Sequence, residues 1–154
     1  MKIHFITLRI IIPLLIMTTF KVSAQVKKPP TLNHIAVYVY DLKKSTDFYQ
    51  NIIGLTIIPE PFHDGRHSWF KIGDHSQLHL IQGAVSVTEH DKNSHLCFSV
   101  TSIDSFIMVL NKNSIWFGNF PGQTNMITTR PDGIKQIYFK DPDGYWIEVN
   151  DDPY

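Results

Sequence analysis

Four residues of this 154-residue chain could act together: His34, His79, His95 and Glu148. Imidazole nitrogens and carboxylate oxygens are ligands for Zn²⁺, Fe²⁺, Mn²⁺ and Ni²⁺, and three or four of them make a site. Separations of 45, 16 and 53 residues form no compact ligand motif, so only the fold can bring them together. Their local settings nevertheless match. His34 precedes Ile35 and Val37, His79 lies between Leu78 and Leu80, His95 precedes Leu96 and Phe98, and Glu148 lies between Ile147 and Val149. Neighbours in a strand point to opposite faces. If the apolar residues face the core, all four project from the other, concave side. A carboxylate inside an apolar ladder is tolerated where a cation compensates it. On the residues alone, hydrogen-bonded strand histidines and a solvated Glu148 stay open as the competing reading.

The elements that must position them recur twice. "LNHIAVYVY" alternates as a half-buried strand, and "DLKKSTDFYQNIIGL" follows as a helix. That helix has Asp41 or Ser45 as N-cap, an apolar face of Phe48, Tyr49, Ile52 and Ile53, and Gly54 as its stop. Strands are expected at Leu55–Ile58, Ser68–Ile72 and Gln77–Ile81. After a polar linker, "SHLCFSV" is again an alternating strand, and "TSIDSFIMVLNKN" a helix with Ile103, Phe106, Ile107 and Leu110 on one face. Further strands are expected at Ser114–Phe117, Ile134–Phe139 and Tyr145–Val149. A shift of 61 lays His34 over His95, and a shift of 69 lays His79 over Glu148. The chain is thus an α+β protein of two βαβββ modules, residues 31–82 and 94–151, joined by a linker at 83–93.

"LNHIAVYVYDLKKSTDFYQNIIGL", "SQLHLIQG", "SHLCFSV" and "FKDPDGYWIEVND" resemble the vicinal oxygen chelate (VOC) superfamily, in particular its glyoxalase I-like (lactoylglutathione lyase-like) branch. The resemblance covers residues 31–151. It implies the fold shared by glyoxalase, bleomycin resistance protein and dihydroxybiphenyl dioxygenase: a cup-shaped mixed sheet around one divalent metal, held here by His34, His79, His95 and Glu148. Zn²⁺ leads as the metal, with Ni²⁺, Fe²⁺ and Mn²⁺ as alternatives. One departure matters: the second ligand position of such enzymes is often Glu, sometimes Gln, and here it is His79. Three neutral imidazoles and one carboxylate leave M²⁺ with a net positive charge, suited to an oxyanion. Glu148 is then the main proton acceptor.

Other polar residues carry less. Arg66 in "FHDGRHSWF" could clamp a substrate anion, although a solvated loop arginine is the simpler reading. His63, His67, His75 and His90 read as loop residues. "PGQTNMITTRPDGIKQ" (121–136) has the composition of a mobile flap over the cup. Cys97 shares a face with His95, but a small buried filler is the simpler reading. As the single cysteine, it permits no internal disulfide.

The first 24 residues read as a secretory signal peptide: early Lys2 and Arg9, an apolar run Ile10–Phe20, and Val22-Ser23-Ala24 before the cut. That run of 11 residues is short of the ~20 needed to span a bilayer, so no stable membrane anchor is expected after cleavage. Residues 25–30 form a lead-in. Without the leader the formal net charge falls from 0 to −3, and no basic stripe suggests nucleic acid. The expected protein is exported, to a periplasmic or extracellular space, and pairs as a homodimer. It chelates a small carbonyl or hydroxy substrate and stabilises its enediolate or a similar oxyanion. Export weakens the case for glutathione as co-substrate. Two alternatives stand beside this: a non-haem Fe²⁺ ring-cleaving (extradiol-type) dioxygenase, against which His79 fills an open position, and a bleomycin-resistance-like binding protein, which generally lacks the ligands.

Overall fold

The computed structural model describes residues 28–153. The signal-peptide reading of residues 1–24 lies outside them. From Thr31 onward the chain forms one compact unit. Its first module runs β1 (His34–Val39), α1 (Leu42–Asn51), β2 (Thr56–Ile58), β3 (His67–Ile72) and β4 (Ser76–Gln82). The second runs β5 (His95–Ser99), α2 (Ile103–Lys112), β6 (Thr128–Thr129), β7 (Lys135–Lys140) and β8 (Trp146–Asn150). Each module makes a four-stranded mixed sheet, in the orders β1-β4-β3-β2 and β5-β8-β7-β6. In both, the first strand lies parallel to the last, and the helix makes the crossover that this pairing requires. Two βαβββ modules are therefore present, as the repeat implies.

The repeat holds to the level of register. Ala36 pairs with His79 as Cys97 pairs with Glu148, and Trp69 pairs with His79 as Tyr138 pairs with Glu148. The helices begin where side chains can cap them: Asp41 accepts from the Lys44 N–H and Ser102 from the Ser105 N–H. Gly54 then turns the chain out of α1 with φ +83°, a conformation that costs glycine little. One core joins the modules. Val37, Val39, Leu78 and Leu80 of the first sheet and Ile137, Phe139, Ile147 and Val149 of the second belong to it, with Phe48, Tyr49, Phe106 and Leu110 of the helices. Phe139 meets Phe48 of α1 and Phe106 of α2, so aromatic packing crosses the module boundary.

Three expectations are corrected. Ser114–Phe117 is not a strand. Ser114 takes a left-handed backbone, φ +55°, and the Ile115 N–H returns to the Leu110 carbonyl, so the segment closes α2. Only Gly118 bridges to Tyr138. The fourth place in the sheet goes to Thr128–Thr129, inside the segment read as a flap. Residues 121–136 are thus partly tied down: Thr128 and Thr129 pair with β7, and the Gln123 N–H and side chain bond Asn119. His67 likewise opens β3 rather than lying in a loop.

The "DPDG" turn fastens module two onto module one. Buried Asp141 accepts from the Tyr49 hydroxyl at 2.8 Å and from the backbone N–H groups of Asp143 and Tyr145. Buried Asp143 accepts from the Tyr40 N–H at 2.6 Å and from the Ser45 hydroxyl. Burial pushes the Asp141 carboxyl up from 3.8 to about 6, although the hydrogen bonds from Tyr49, Tyr145 and Asp143 act the other way. A carboxyl raised in the folded state binds its proton more tightly there than in the unfolded chain. Its contribution to stability is therefore lost as pH climbs from 3.8 to about 6, by roughly 3 kcal/mol. Asp141→Asn, which cannot ionise, should gain that amount relative to wild type across this window and then level off, in urea unfolding at a series of pH values. A difference between the two proteins that does not vary with pH would refute burial as the cause.

Candidate metal centre

The four residues fall into two pairs, one on each sheet. His79 sits on β4 between Leu78 and Leu80, both fully buried in the core, and is itself 8% exposed on the opposite face. Its ring stacks on His34 of β1, centroids 4.4 Å apart, and on Trp69 of β3 at 3.9 Å. Burial first, and then the nearby His34 and His67, hold the His79 imidazole below its ordinary value. It is accordingly neutral at neutral pH, the form that ligates metals. Its Nε2 bonds the Gln77 amide oxygen at 2.8 Å and its Nδ1 is left over; His34 uses Nδ1 on the Asn33 amide oxygen, leaving Nε2. The Trp69 indole N–H is buried with no hydrogen-bond partner.

On the second sheet, Glu148 of β8 is 7% exposed between the fully buried Ile147 and Val149. Its Oε2 accepts from the Tyr138 hydroxyl at 2.6 Å, and its Oε1 from the Asn150 amide at 3.1 Å and the Cys97 thiol at 3.5 Å. Burial pushes its carboxyl up, but these bonds together with His95 outweigh it, and the net effect is a carboxyl held below the ordinary range. Protein donors thus already meet part of the charge that the sequence assigns to a cation. His95 Nδ1 lies 2.7 Å from the Lys92 carbonyl oxygen, which can only accept, so that nitrogen carries the proton. Its Nε2 faces Glu148 Oε2 at 3.2 Å. The contact is an ion pair when Nε2 carries a proton and a pair of metal-ligating atoms when it does not.

The donor types fit a divalent ion: each of the three imidazoles is oriented by one ring nitrogen on an oxygen, and the second nitrogen faces Glu148 in His95 and is left over in His34 and His79. Within a single chain, however, the two pairs stay apart. Among the described residues, no three His, Cys, Asp or Glu side chains group closely enough to hold a metal ion.

Cys97 faces the same side as Glu148 and is not a core filler. Burial and the Glu148 charge push its thiol up to about 12, so it serves as a protonated donor. A cavity of about 270 Å³ beside it is lined by Cys97, Ser99, Asn150, Asp152 and Pro153. Arg66 donates to the Gln82 carbonyl at the end of β4. Outside the site, His90 stacks on Tyr145. Trp69 and Tyr138, which brace His79 and Glu148, went unread in the sequence. The 69-residue shift that pairs His79 with Glu148 also lays Trp69 over Tyr138.

Paired βαβββ modules thus carry His34, His79, His95 and Glu148 on their non-core faces. It belongs to the Glyoxalase/Bleomycin resistance protein/Dioxygenase superfamily, whose model matches residues 31–149. It is 29% identical to the metallothiol transferase FosB of Staphylococcus epidermidis, over 78% of this chain and 80% of that one. To the lactoylglutathione lyase of Pseudomonas aeruginosa it is 25% identical, over 76% of this chain and 80% of that one. The solved structure of the oxidase ChaP-H2 has the same fold, with a TM-score of 0.68 at 24% identity, covering 82% of this chain and 97% of that one.

Tyr138→Phe removes the shortest bond to Glu148 and leaves the ring in place. A hydrogen bond to a charged group contributes about 1.5–3 kcal/mol. Metal-free Tyr138→Phe should therefore unfold in urea with roughly that loss at neutral pH. Wild-type stability would show that the hydroxyl does not hold the carboxylate.

Proposed function

We propose that this protein is a metal-dependent enzyme of the glyoxalase I-like kind, acting on a small carbonyl or hydroxy compound. His34 and His79 of one chain and His95 and Glu148 of a second complete one centre across a homodimer. The observation that carries the reading is the facing of His95 Nε2 and Glu148 Oε2 at 3.2 Å, each braced from behind by its own hydrogen bonds. A divalent ion held by these residues would polarise two neighbouring oxygens of the substrate. The chain's own residues do the rest. Glu148, kept as a carboxylate by Tyr138 and Asn150, accepts the proton from the carbon beside the carbonyl. Tyr138, Asn150 and Cys97 fix the carboxylate's orientation, and the cavity beside Cys97 gives a small substrate room. The leader over residues 1–24 would export the protein to a periplasmic or extracellular space, which N-terminal sequencing near Gln25 checks.

Elemental analysis of protein purified without chelator, followed by assays on small carbonyl and hydroxy compounds, tests the reading. His79→Ala and Glu148→Ala should each weaken metal binding by about 10-fold or more. Glu148→Gln retains one ligating oxygen but cannot accept a proton at neutral pH, so it should keep much of its metal and lose turnover by about 10²-fold. Wild-type turnover in metal-loaded Glu148→Gln would remove the proton role. Less than about 0.2 metal per chain after reconstitution would remove the metal enzyme, since retention of the ion is what a site of this ligand number provides.

A further inference from the structure

One cation on the ligand face of the second sheet has no carboxylate to neutralise it. Lys92 reaches over β8 so that its Nζ lies 4.1 Å from the centre of the Trp146 ring, with the Phe120 and Tyr138 rings at 5.6 and 5.7 Å. It donates one hydrogen bond, to the Phe120 carbonyl at 2.9 Å, and an ammonium has three to give. Trp146 stands one row from Glu148 on the same face: His95 pairs with Trp146, and Cys97 with Glu148. The Tyr138 ring bridges the two rows, since its hydroxyl holds Glu148 and its ring lies 5.8 Å from that of His95. The Lys92 backbone carbonyl also orients His95.

Neighbouring cations are already matched. Lys140, over the same Trp146 ring, pairs with Glu89, and Arg130 pairs with Asp132 and Asp152. Among the described residues Lys92 enters no such pair. Half-buried against three rings, it is held in place by cation–π attraction and lacks the anion that a partly desolvated ammonium favours.

We propose that Lys92 binds a carboxylate of the substrate, at the end remote from the oxygens that the metal ligands address, so that the enzyme selects small organic acids over neutral dicarbonyls. The inference rests on the reading of the site given above. It assigns Lys92 to substrate binding rather than to stapling Phe120 onto β8.

Malate and its 4-amide test it, because both carry the same vicinal hydroxyl and carboxylate and differ only in the charge of the remote group. Titration calorimetry on the metal-loaded protein should show malate binding about 10-fold or more tighter than the amide, as expected of a charge-assisted hydrogen bond. Lys92→Met keeps the aliphatic stem on Trp146 and should bind the acid no better than the amide; Lys92→Arg should retain most of the preference. Thermal melting of the three proteins shows whether the substitutions disturb the fold. Equal binding of acid and amide by wild type, or an undiminished preference in Lys92→Met, would overturn the assignment. Metal content of the same samples separates the two readings. If metal is absent, the metal enzyme fails, and the same titrations on metal-free protein still decide Lys92: loss of the acid's advantage in Lys92→Met supports it, and no advantage in any of the proteins overturns it.

Discussion

Leu78 and Leu80 on β4, and Ile147 and Val149 on β8, are wholly removed from solvent. Strand alternation then leaves the residue between each pair only the opposite face. Turning that face inward would need a one-residue slip of a central strand, which would expose two large apolar side chains and bury an imidazole or a carboxylate among hydrocarbon. The positions of His79 and Glu148 are thus fixed by the packing of their neighbours. The same packing sets the limit of a single chain: each sheet contributes one face to the common core and carries two candidate ligands on the other.

Around this constraint the polar side chains form two different supports. On the first sheet the support is aromatic: His79 lies between the rings of Trp69 and His34, and burial keeps it neutral. On the second it is made of hydrogen bonds, with Tyr138, Asn150 and Cys97 converging on Glu148. The difference follows from what each side chain needs. A neutral imidazole needs orientation, whereas a carboxylate of low exposure also needs donors to offset its desolvation. Away from the site, Asp141 and Asp143 tie the last turn to Tyr49, Tyr40 and Ser45, so the strand bearing Glu148 is anchored to the first module.

The fold was largely legible because the apolar alternation and the two shifts of 61 and 69 residues are local and periodic. Nine of the ten elements stand close to where that pattern puts them. The tenth, Thr128–Thr129, has only two residues and no apolar alternation to reveal it. The ligand candidates were legible by type and face, but their distances to one another were not, since a pattern within strands says nothing of how two sheets approach. The braces were harder to see. Tyr138 and Trp69 look like ordinary strand aromatics until the register sets them beside Glu148 and His79. Lys92 lies in a polar loop, where one lysine looks like any other, and only the fold carries it over Trp146.

The centre proposed above takes half its ligands from each of two chains. Mixed dimers test it most directly. Chains carrying His79→Ala and chains carrying Glu148→Ala are unfolded together, refolded as a mixture, and the heterodimer is isolated by differently tagged chains. If the halves lie on different chains, one of the two centres in the heterodimer collects both substitutions and the other collects neither. A shared centre therefore gives about one tightly held metal ion per heterodimer, while the parent homodimers bind about 10-fold or more weakly. A heterodimer that binds as weakly as its parents would contradict it.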